Sequence, residues 1–379
     1  MIYLDHAATS PLRPAAREAM APFLDVRFGN PSGLYAIGRD AQEALDEARA
    51  AVAACLGARP SEIIFTSGAT ESINTALFGI SYALRRAGAG NHVITSAIEH
   101  HAAIHAAAFL EELGFDVTTV GCDASGRVSL AEIDRAIRPG TILVNVMLAN
   151  NEVGTIQPIP EIVALAHQCG ALVHCDAAQA VGKVPLDVGS WGVDLLSISA
   201  HKLYGPKGIG ALYVTQRVRK AAIHPQIFGG GQESGLRSGT QNVPGIVGLG
   251  EACEIARVSM AEESWRISQL RDAFESGLRA VIPGIHVNGD LENRLPGNSS
   301  ITFPEIEADA LILNMPDVAL SVGSACHSGA IEPSHVLTAI GLSRDLAHST
   351  VRVGWGRFNV EDDVAAAVAR VSEAYFRLA

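Results

Sequence analysis

The sequence lacks any pair of cysteines in a Cys-x-x-Cys arrangement. Its 379 residues include six scattered cysteines: Cys55, Cys122, Cys169, Cys175, Cys253 and Cys326. A structural zinc site or a disulfide framework usually requires thiols at closer, regular spacings. The pattern argues against both, and we expect a protein of a reducing compartment.

Long apolar runs are also missing. No stretch reaches the ~18 apolar residues that a membrane-spanning helix needs. The first residues, Met1 to His6, have neither the basic start nor the apolar core of a signal peptide. We therefore predict a cytoplasmic protein with no membrane partner.

Basic residues are fewer than acidic ones. Lys and Arg number 28 against 40 Asp and Glu, which gives a net charge of −12. Nucleic-acid binding depends largely on Lys and Arg contacts to phosphates, so a nucleic-acid partner is not expected. The 48% hydrophobic and 18% charged content is that of a globular protein, and the length allows two domains.

Short apolar runs alternate with helix-length segments between about residues 45 and 215. The runs lie at 63–65, 92–94, 142–146, 171–174 and 195–198. Nearly continuous apolar strands separated by helices such as 161–169 predict an α/β fold with a parallel sheet covered on both faces.

A smaller α+β domain is predicted after about residue 260. Its first helix has an apolar face that consists of Ile267, Leu270, Phe274, Leu278 and Val281. Strand-like segments follow at 299–303, 318–322 and 350–353. Asn359 is the expected N-cap of a last helix, whose apolar stripe consists of Val364, Val368, Val371 and Tyr375.

Polar loops follow the strands of the large domain. Ligands of open α/β sheets bind beyond the carboxyl ends of the strands, so these loops should meet at one site. Residues 66–72 suit a phosphate at a helix N-terminus, or equally an ordinary helix start. His100 could stack on a flat ring or be a polar loop residue, and turn chemistry alone explains residues 150–154.

Two charged residues stand at the ends of buried strands. A carboxylate at Asp176 is costly there unless it meets a cation, either a protonated pyridine nitrogen or a structural ion-pair partner. Lys202 is poorly placed as a solvated charge, and desolvation lowers a lysine pKa so that the neutral amine can form an imine. Ser199 and His201, beside it, could donate to a phosphate.

Motifs along nearly the whole chain resemble one family, the fold-type I pyridoxal-phosphate enzymes of the class V aminotransferase group. Within that group the resemblance is to cysteine desulfurases of the NifS/IscS type. The matching segments are 3–9, 28–32, 67–72, 99–100, 150–154, 176–179, 201–208, 237–240, 323–326 and 347–349. The resemblance implies a large domain with a mostly parallel seven-stranded sheet between helices at 16–260, and a small domain at 1–15 and 261–379.

The resemblance also implies roles for single residues. Lys202 would carry pyridoxal 5'-phosphate as a Schiff base, Asp176 would pair with the ring nitrogen and His100 would stack on the ring. Further cofactor contacts are expected from Asn151 and Gln179 at the ring hydroxyl and from Ala69, Thr70, Ser199, His201 and, across a homodimer interface, Thr240 at the phosphate. Arg352 and Asn30 would bind the substrate carboxylate.

Cys326 distinguishes a desulfurase from an ordinary aminotransferase. A lone cysteine is more often a small packing residue, but Cys326 lies among Gly, Ser and Ala residues in a loop expected at about 321–332, where the family has its persulfide cysteine. The other five cysteines are interpreted as packing residues. His327 departs from the Thr or Ser usual at its position and could help to ionise Cys326 or only line the loop.

The expected activity is therefore conversion of L-cysteine to L-alanine, with sulfur passed as a Cys326 persulfide to an acceptor or iron–sulfur scaffold protein. No metal is expected in the isolated enzyme, although Cys326 could share a cluster with a scaffold. Selenocysteine lyase and class V transaminase are the nearest alternatives, and a non-catalytic scaffold is a distant one. Intact Lys202, Asp176, His100 and Arg352 argue against the scaffold.

Overall fold

The computed structural model describes residues 1–221, 223–323 and 332–379. Its strands are β1 (Ile2–Tyr3), β2 (Ile63–Thr66), β3 (His92–Ser96), β4 (Asp116–Val120), β5 (Thr141–Asn145), β6 (Leu172–Asp176), β7 (Leu195–Ser199), β8 (Gly210–Val214), β9 (His286–Asn288), β10 (Asn298–Thr302), β11 (Val318–Ala319), β12 (Ser321–Val322) and β13 (Thr350–Gly354). Its helices are α1 (Pro14–Met20), α2 (Pro22–Asp25), α3 (Ala36–Leu56), α4 (Ala69–Arg86), α5 (His101–Glu112), α6 (Leu130–Ala136), α7 (Ile159–Gln168), α8 (Val188–Trp191), α9 (Gln216–Ala221), α10 (Val243–Val281), α11 (Ala308–Leu313), α12 (His335–Ala339), α13 (Arg344–His348) and α14 (Glu361–Leu378).

A seven-stranded sheet runs in the order β2-β8-β7-β6-β5-β3-β4. Neighbours from β7 to β4 are parallel, whereas β8 is antiparallel to both β2 and β7. Side chains alternate between two cores: Ile63 and Phe65 pack in one, Ile64 in the other. Both faces are therefore covered, and the predicted mostly parallel seven-stranded sheet between helices is confirmed.

A second, smaller sheet has four antiparallel strands in the order β12-β13-β10-β9. Its core joins Phe274 of α10, Val353 of β13 and Val371 of α14. The N-terminal strand β1 pairs in parallel with β11, which brings the start of the chain to this unit. The helix α10 runs unbroken through residue 260, so the division of the chain at that residue stays a prediction.

Two details of the predicted small unit are wrong. The single strand expected at 318–322 is two short strands in different sheets, because β11 pairs with β1 while β12 pairs with β13. Asn359 is not the N-cap of α14, which is Val360. The Asn359 side chain instead accepts from the Gly356 amide and donates to the Tyr3 carbonyl, and Asp363 accepts from the Val360 amide.

The cysteines differ in their burial, although all except Cys326 are expected to be packing residues. Cys175 and Cys253 are buried packing residues, as interpreted, but Cys169 is exposed at the end of α7 and packs in no core. Cys326 lies outside the described residues, as does most of the loop expected around it, residues 324–331.

No helix in the described ranges combines the length and apolar character that crossing a membrane requires.

Candidate active site

A cavity of about 590 Å³ opens where the carboxyl ends of the parallel strands meet the loops that follow them. The sequence-predicted residues that line it are Ala69, Thr70, His100, Asn151, Asp176, Gln179, Ser199, His201, Lys202 and Arg352. Asn30 and Thr240 are exposed and do not line it. Cys326 lies outside the described residues, so its distance from the cavity is not defined.

Lys202 lies in the 3₁₀ turn directly after β7. Its Nζ donates to the carbonyl oxygens of Ala7 at 2.6 Å and Ala8 at 2.8 Å. After the turn, Tyr204 adopts a φ of 66°, which is unusual for a residue other than glycine, and the Tyr204 amide donates to Ser10 Oγ. Two backbone carbonyls therefore orient the amine in the cavity.

Ala8 and Thr9 line the cavity, and the segment from Asp5 to Ser10 contacts other residues of the site. Asp5 pairs with Arg352, Thr9 Oγ1 lies 3.0 Å from His201 Nδ1, and Ser10 donates to the His201 carbonyl at 2.7 Å. From the sequence alone, residues 3–9 are recognised only as a matching motif, with no role for any single residue. The available signal was a polar Asp-His pair directly after the apolar residues of β1.

Asp176 is the last residue of β6 and is 5% exposed. Its Oδ1 accepts a 2.9 Å hydrogen bond from the Ala178 amide. Burial raises the pKa of Asp176 to about 6, against the lowering effect of the Ala178 amide and the charge of Lys202. A cationic ring nitrogen beside Asp176 would favour the ionised carboxylate.

His100 is the N-cap of α5, and its Nδ1 accepts from the Ala102 amide at 3.1 Å. An accepting Nδ1 leaves the ring proton on Nε2. Burial, followed by the charge of Lys202, lowers the pKa of His100 to about 4, so the imidazole is neutral near pH 7. A neutral, half-buried imidazole at the cavity wall suits stacking on a flat aromatic ring.

The start of α4 lines the cavity at Ala69 and Thr70. The first amides of this 18-residue helix, at Ala69 and Thr70, have no intrahelical acceptor and lie at the positive end of the helix dipole. Gly68 precedes them at a φ of 153°, and a side chain there would approach Ser199 Oγ. Burial and the charge of Lys202 lower the pKa of His201 to about 4, so its ring is neutral beside this site.

These groups fit pyridoxal phosphate. The α4 amides suit its phosphate, the Asp176 carboxyl suits its ring nitrogen, and the Lys202 amine suits its carbonyl carbon. Asn151 Oδ1 is buried in the cavity and accepts from no described residue, which leaves it available to a bound ligand. The described residues include no group of three or more His, Cys, Asp or Glu placed to hold a metal ion.

Arg352 of β13 is buried and already held in position. Its Nε donates to Ser321 Oγ at 3.1 Å, one terminal nitrogen to the Asn151 carbonyl at 3.2 Å, and the other to Asp5 at 3.1 Å. A guanidinium has five N–H groups, so one on each terminal nitrogen has no acceptor within the described part of the chain. A guanidinium with two such N–H groups can bind a carboxylate.

Two buried glutamates were missed as functional candidates. Glu99 Oε1 accepts from Ser96 Oγ at 2.5 Å and from the Met147 amide at 2.8 Å, and burial raises its pKa to about 8. Glu152 accepts from Ser334 Oγ at 2.5 Å, and a Cβ at Gly323 would lie 2.4 Å from the same carboxylate. Acidic residues within strand-end motifs were the available signal.

Comparison with known proteins gives one family. The sequence model of the family described as aminotransferase class-V matches residues 2–366. The cysteine desulfurase IscS of Dictyoglomus turgidum is 46% identical over 365 residues, which cover 96% of this chain and 91% of that protein. A solved NifS-like protein superimposes with a TM-score of 0.93 at 37% identity over 100% of both chains. SspA, solved in complex with cysteine, gives 0.83 at 39% identity over 95% of this chain and 100% of its own.

Proposed function

The chain belongs to the class V aminotransferase family, and on that basis we propose that it is a pyridoxal-phosphate-dependent cysteine desulfurase. The observation that carries the proposal is the single cavity that joins Lys202, Asp176 and Arg352. The cysteine desulfurase relative at 46% identity and the cysteine complex of SspA support L-cysteine as the substrate.

Each part of the cofactor has a group to hold it in this proposal. Lys202 binds it covalently, Asp176 holds the ring nitrogen and His100 covers the ring face. The remaining contacts are Asn151 and Gln179 at the ring hydroxyl, and Ala69, Thr70, Ser199 and His201 at the phosphate, with Thr240 contributed by a second subunit. When bound, pyridoxal phosphate supplies an electron sink for negative charge at the substrate Cα.

The chain's own residues bind the substrate and move the proton. Arg352, with Asn30, holds the substrate carboxylate and so fixes the orientation of Cα. The Lys202 amine takes the Cα proton, and the carbonyls of Ala7 and Ala8 keep it in place because they accept N–H bonds from either protonation state.

Cys326 is the proposed sulfur acceptor, on the strength of its sequence setting and the family resemblance. Its thiolate attacks the sulfur of L-cysteine, an S–S bond forms and the substrate C–S bond breaks. Protonation at Cβ then gives L-alanine, and the sulfur stays on Cys326 as a persulfide. The electron pair of the broken C–S bond stays on Cβ, so the carbon is reduced as the S–S bond forms and no external oxidant is needed.

A homodimer is part of the proposal. Apolar side chains between residues 24 and 37 stay exposed by 42% to 90%; they are Leu24, Val26, Phe28, Leu34, Tyr35 and Ile37. Such a concentration is typical of a surface that a partner covers. We further propose a cytoplasmic enzyme whose persulfide sulfur passes to an iron–sulfur scaffold protein.

Product analysis separates this function from its alternatives. Purified protein loaded with pyridoxal phosphate should convert L-cysteine to L-alanine, with one sulfur recovered per alanine when a thiol reductant is present. Amino transfer from L-cysteine to a 2-oxo acid without sulfur release would identify a transaminase. Turnover of selenocysteine but not of cysteine would identify a selenocysteine lyase.

A further inference from the structure

Lys183 lies behind the cavity wall and has no role in the function proposed so far. It follows β6 in a helical turn in which the Lys183 amide donates to the Ala180 carbonyl, four residues along from Gln179. Its Nζ donates to Gln179 Oε1 at 3.3 Å. Its own carbonyl accepts from Ser264 Oγ of α10 at 2.7 Å, which anchors the turn.

The two neighbours of Gln179 determine which way its amide points. The charged form of Lys183 can only donate, so it holds the side-chain oxygen of Gln179 toward itself. The carbonyl of Ala7 can only accept, and Gln179 Nε2 donates to it at 2.8 Å. The amide group is therefore held in one of its two possible orientations, with its NH₂ side on the same carbonyl that accepts from Lys202.

The NH₂ group of Gln179 has a second N–H. Gln179 is 5% exposed and lines the cavity, so this donor is available only to a ligand in it. A reversed amide would present an oxygen lone pair instead and would repel an ionised ring oxygen. The orientation that Lys183 and the Ala7 carbonyl set together therefore decides whether Gln179 attracts or repels the ring hydroxyl side of the cofactor.

Among the described residues, no carboxylate forms an ion pair with the Lys183 side chain. Burial, followed by the charges of Lys202 and Arg352, lowers the pKa of Lys183 to about 7. Its own charge in turn acts on His6 of the N-terminal segment and on His201 after β7. A poorly solvated cation without a carboxylate partner is costly, and an anionic ring oxygen would offset that cost.

We propose that Lys183 is a positioning residue that acts through Gln179: it holds the Gln179 amide so that its N–H donates to the ionised ring oxygen of the bound cofactor. The proposal rests on the proposed function, because it requires pyridoxal phosphate in the cavity. It assigns Lys183 no contact with the substrate or with the reacting atoms.

The test measures cofactor retention and spectrum, not turnover. Loaded Lys183→Met should lose its visible absorbance roughly tenfold faster than the parent on dilution into a cofactor scavenger, because the hydrogen bond to a charged acceptor is no longer enforced. The pH midpoint of its absorbance should rise, because the ring oxygen is less stabilised as an anion. Lys183→Arg keeps a donor and should restore both values.

A double-mutant cycle shows whether Lys183 acts through Gln179. In a Gln179→Ala background, Lys183→Met should change the dissociation rate by less than about twofold, because the two residues form one unit. Gln179→Glu keeps an acceptor for Lys183 but loses the N–H donor to the cofactor. Its cofactor should therefore dissociate faster, as in Lys183→Met, and this variant provides the test if Lys183→Met folds poorly.

The proposal would be overturned if Lys183→Met had the cofactor dissociation rate and the absorbance midpoint of the parent. It would also be overturned if Lys183→Met changed the dissociation rate equally in the Gln179→Ala background. A parent protein that binds no pyridoxal phosphate would instead overturn the proposed function, so the two failures are distinct.

Discussion

The Nζ atom of Lys202 donates a 2.6 Å hydrogen bond to the carbonyl oxygen of Ala7, which lies 195 residues earlier in the chain. Ala8 accepts a second bond from the same nitrogen at 2.8 Å. The Ala7 carbonyl also accepts from Gln179. One backbone carbonyl thus links the proposed cofactor lysine to a second cofactor contact, and the N-terminal segment helps to set the position of the amine.

Lys202→Ala should abolish covalent attachment of the cofactor. Borohydride reduction of the loaded parent should add one reduced cofactor to the protein mass, whereas the variant should keep its unmodified mass. Lys207→Ala is the matched control, because Lys207 also lines the cavity but is exposed, and it should behave like the parent. Cofactor mass fixed to Lys202→Ala would show that another residue forms the imine.

Asp176→Asn should stabilise the cofactor-free protein at neutral pH. The folded pKa of about 6 lies above the ordinary 3.8, so the folded state holds the proton more tightly and loses stability as pH rises through that window. The amide removes this cost, so the free energy of unfolding should rise by on the order of 2 kcal/mol above about pH 7 and be unchanged near pH 4. Urea unfolding at both pH values measures this difference, and a destabilised variant at neutral pH would contradict the assignment.

The same substitution should cost activity. Without an ionised carboxylate the ring nitrogen is no longer held protonated, and alanine formation should fall by on the order of 100-fold. The phosphate contacts at α4 are unchanged, so some cofactor should remain bound and visible by absorbance. Near-parental alanine formation by Asp176→Asn or Asp176→Ala would be incompatible with the proposed role.

Glu99→Gln should become progressively more stable than the parent as pH rises. The pKa of Glu99 is raised from 4.5 to about 8 by burial, so ionisation destabilises the folded state across that interval and fully above it. The amide keeps the acceptor oxygen for Ser96 and Met147 and cannot ionise. Melting temperatures at about pH 5 and about pH 9 should diverge, with the larger gain at the higher pH; equal shifts at both would show that Glu99 does not titrate in this range.

Phe28→Glu should weaken the proposed homodimer. Sedimentation of the parent at micromolar concentration should give about twice the chain mass of 39.7 kDa, and the variant should shift toward one chain mass because it places charge in a covered apolar surface. Trp265→Glu is the matched control, since both side chains are 67% exposed and Trp265 lies on α10, outside residues 24–37. An active monomeric parent would contradict the dimer.

The parts of the fold that the sequence predicted are those with a strong local pattern. The apolar runs identified β2, β3, β5, β6 and β7, which are buried along their length. The edge strand β4 has exposed residues at Asp116 and Thr119 and only one buried residue, Val120, so it has no such run. The antiparallel placement of β8 between β7 and β2 depends in part on pairing with β2, which is distant in sequence.

Some residues of the site also had a strong local signal. Lys202 and Asp176 could be identified from their position at strand ends, and the fold then brought the loops together. The N-capping error at Asn359 arose because its side chain bonds to Tyr3, a residue 356 positions away. The Glu152 carboxylate lies beside Gly323 and Ser334, which are far away in the sequence, and no local pattern encodes such contacts.

The most direct test of the central claim is mass spectrometry of the loaded enzyme after brief exposure to L-cysteine. One added sulfur atom should be found on Cys326 alone, and Cys326→Ser should still bind cofactor and L-cysteine while alanine release falls to background. Burial raises the pKa of Cys122 to about 11 and that of Cys175 well above its ordinary value, so neither should form a thiolate near pH 7. Sulfur on Cys122 or Cys175 instead, or normal desulfuration by Cys326→Ser, would contradict the assignment of this chain as a persulfide-forming desulfurase.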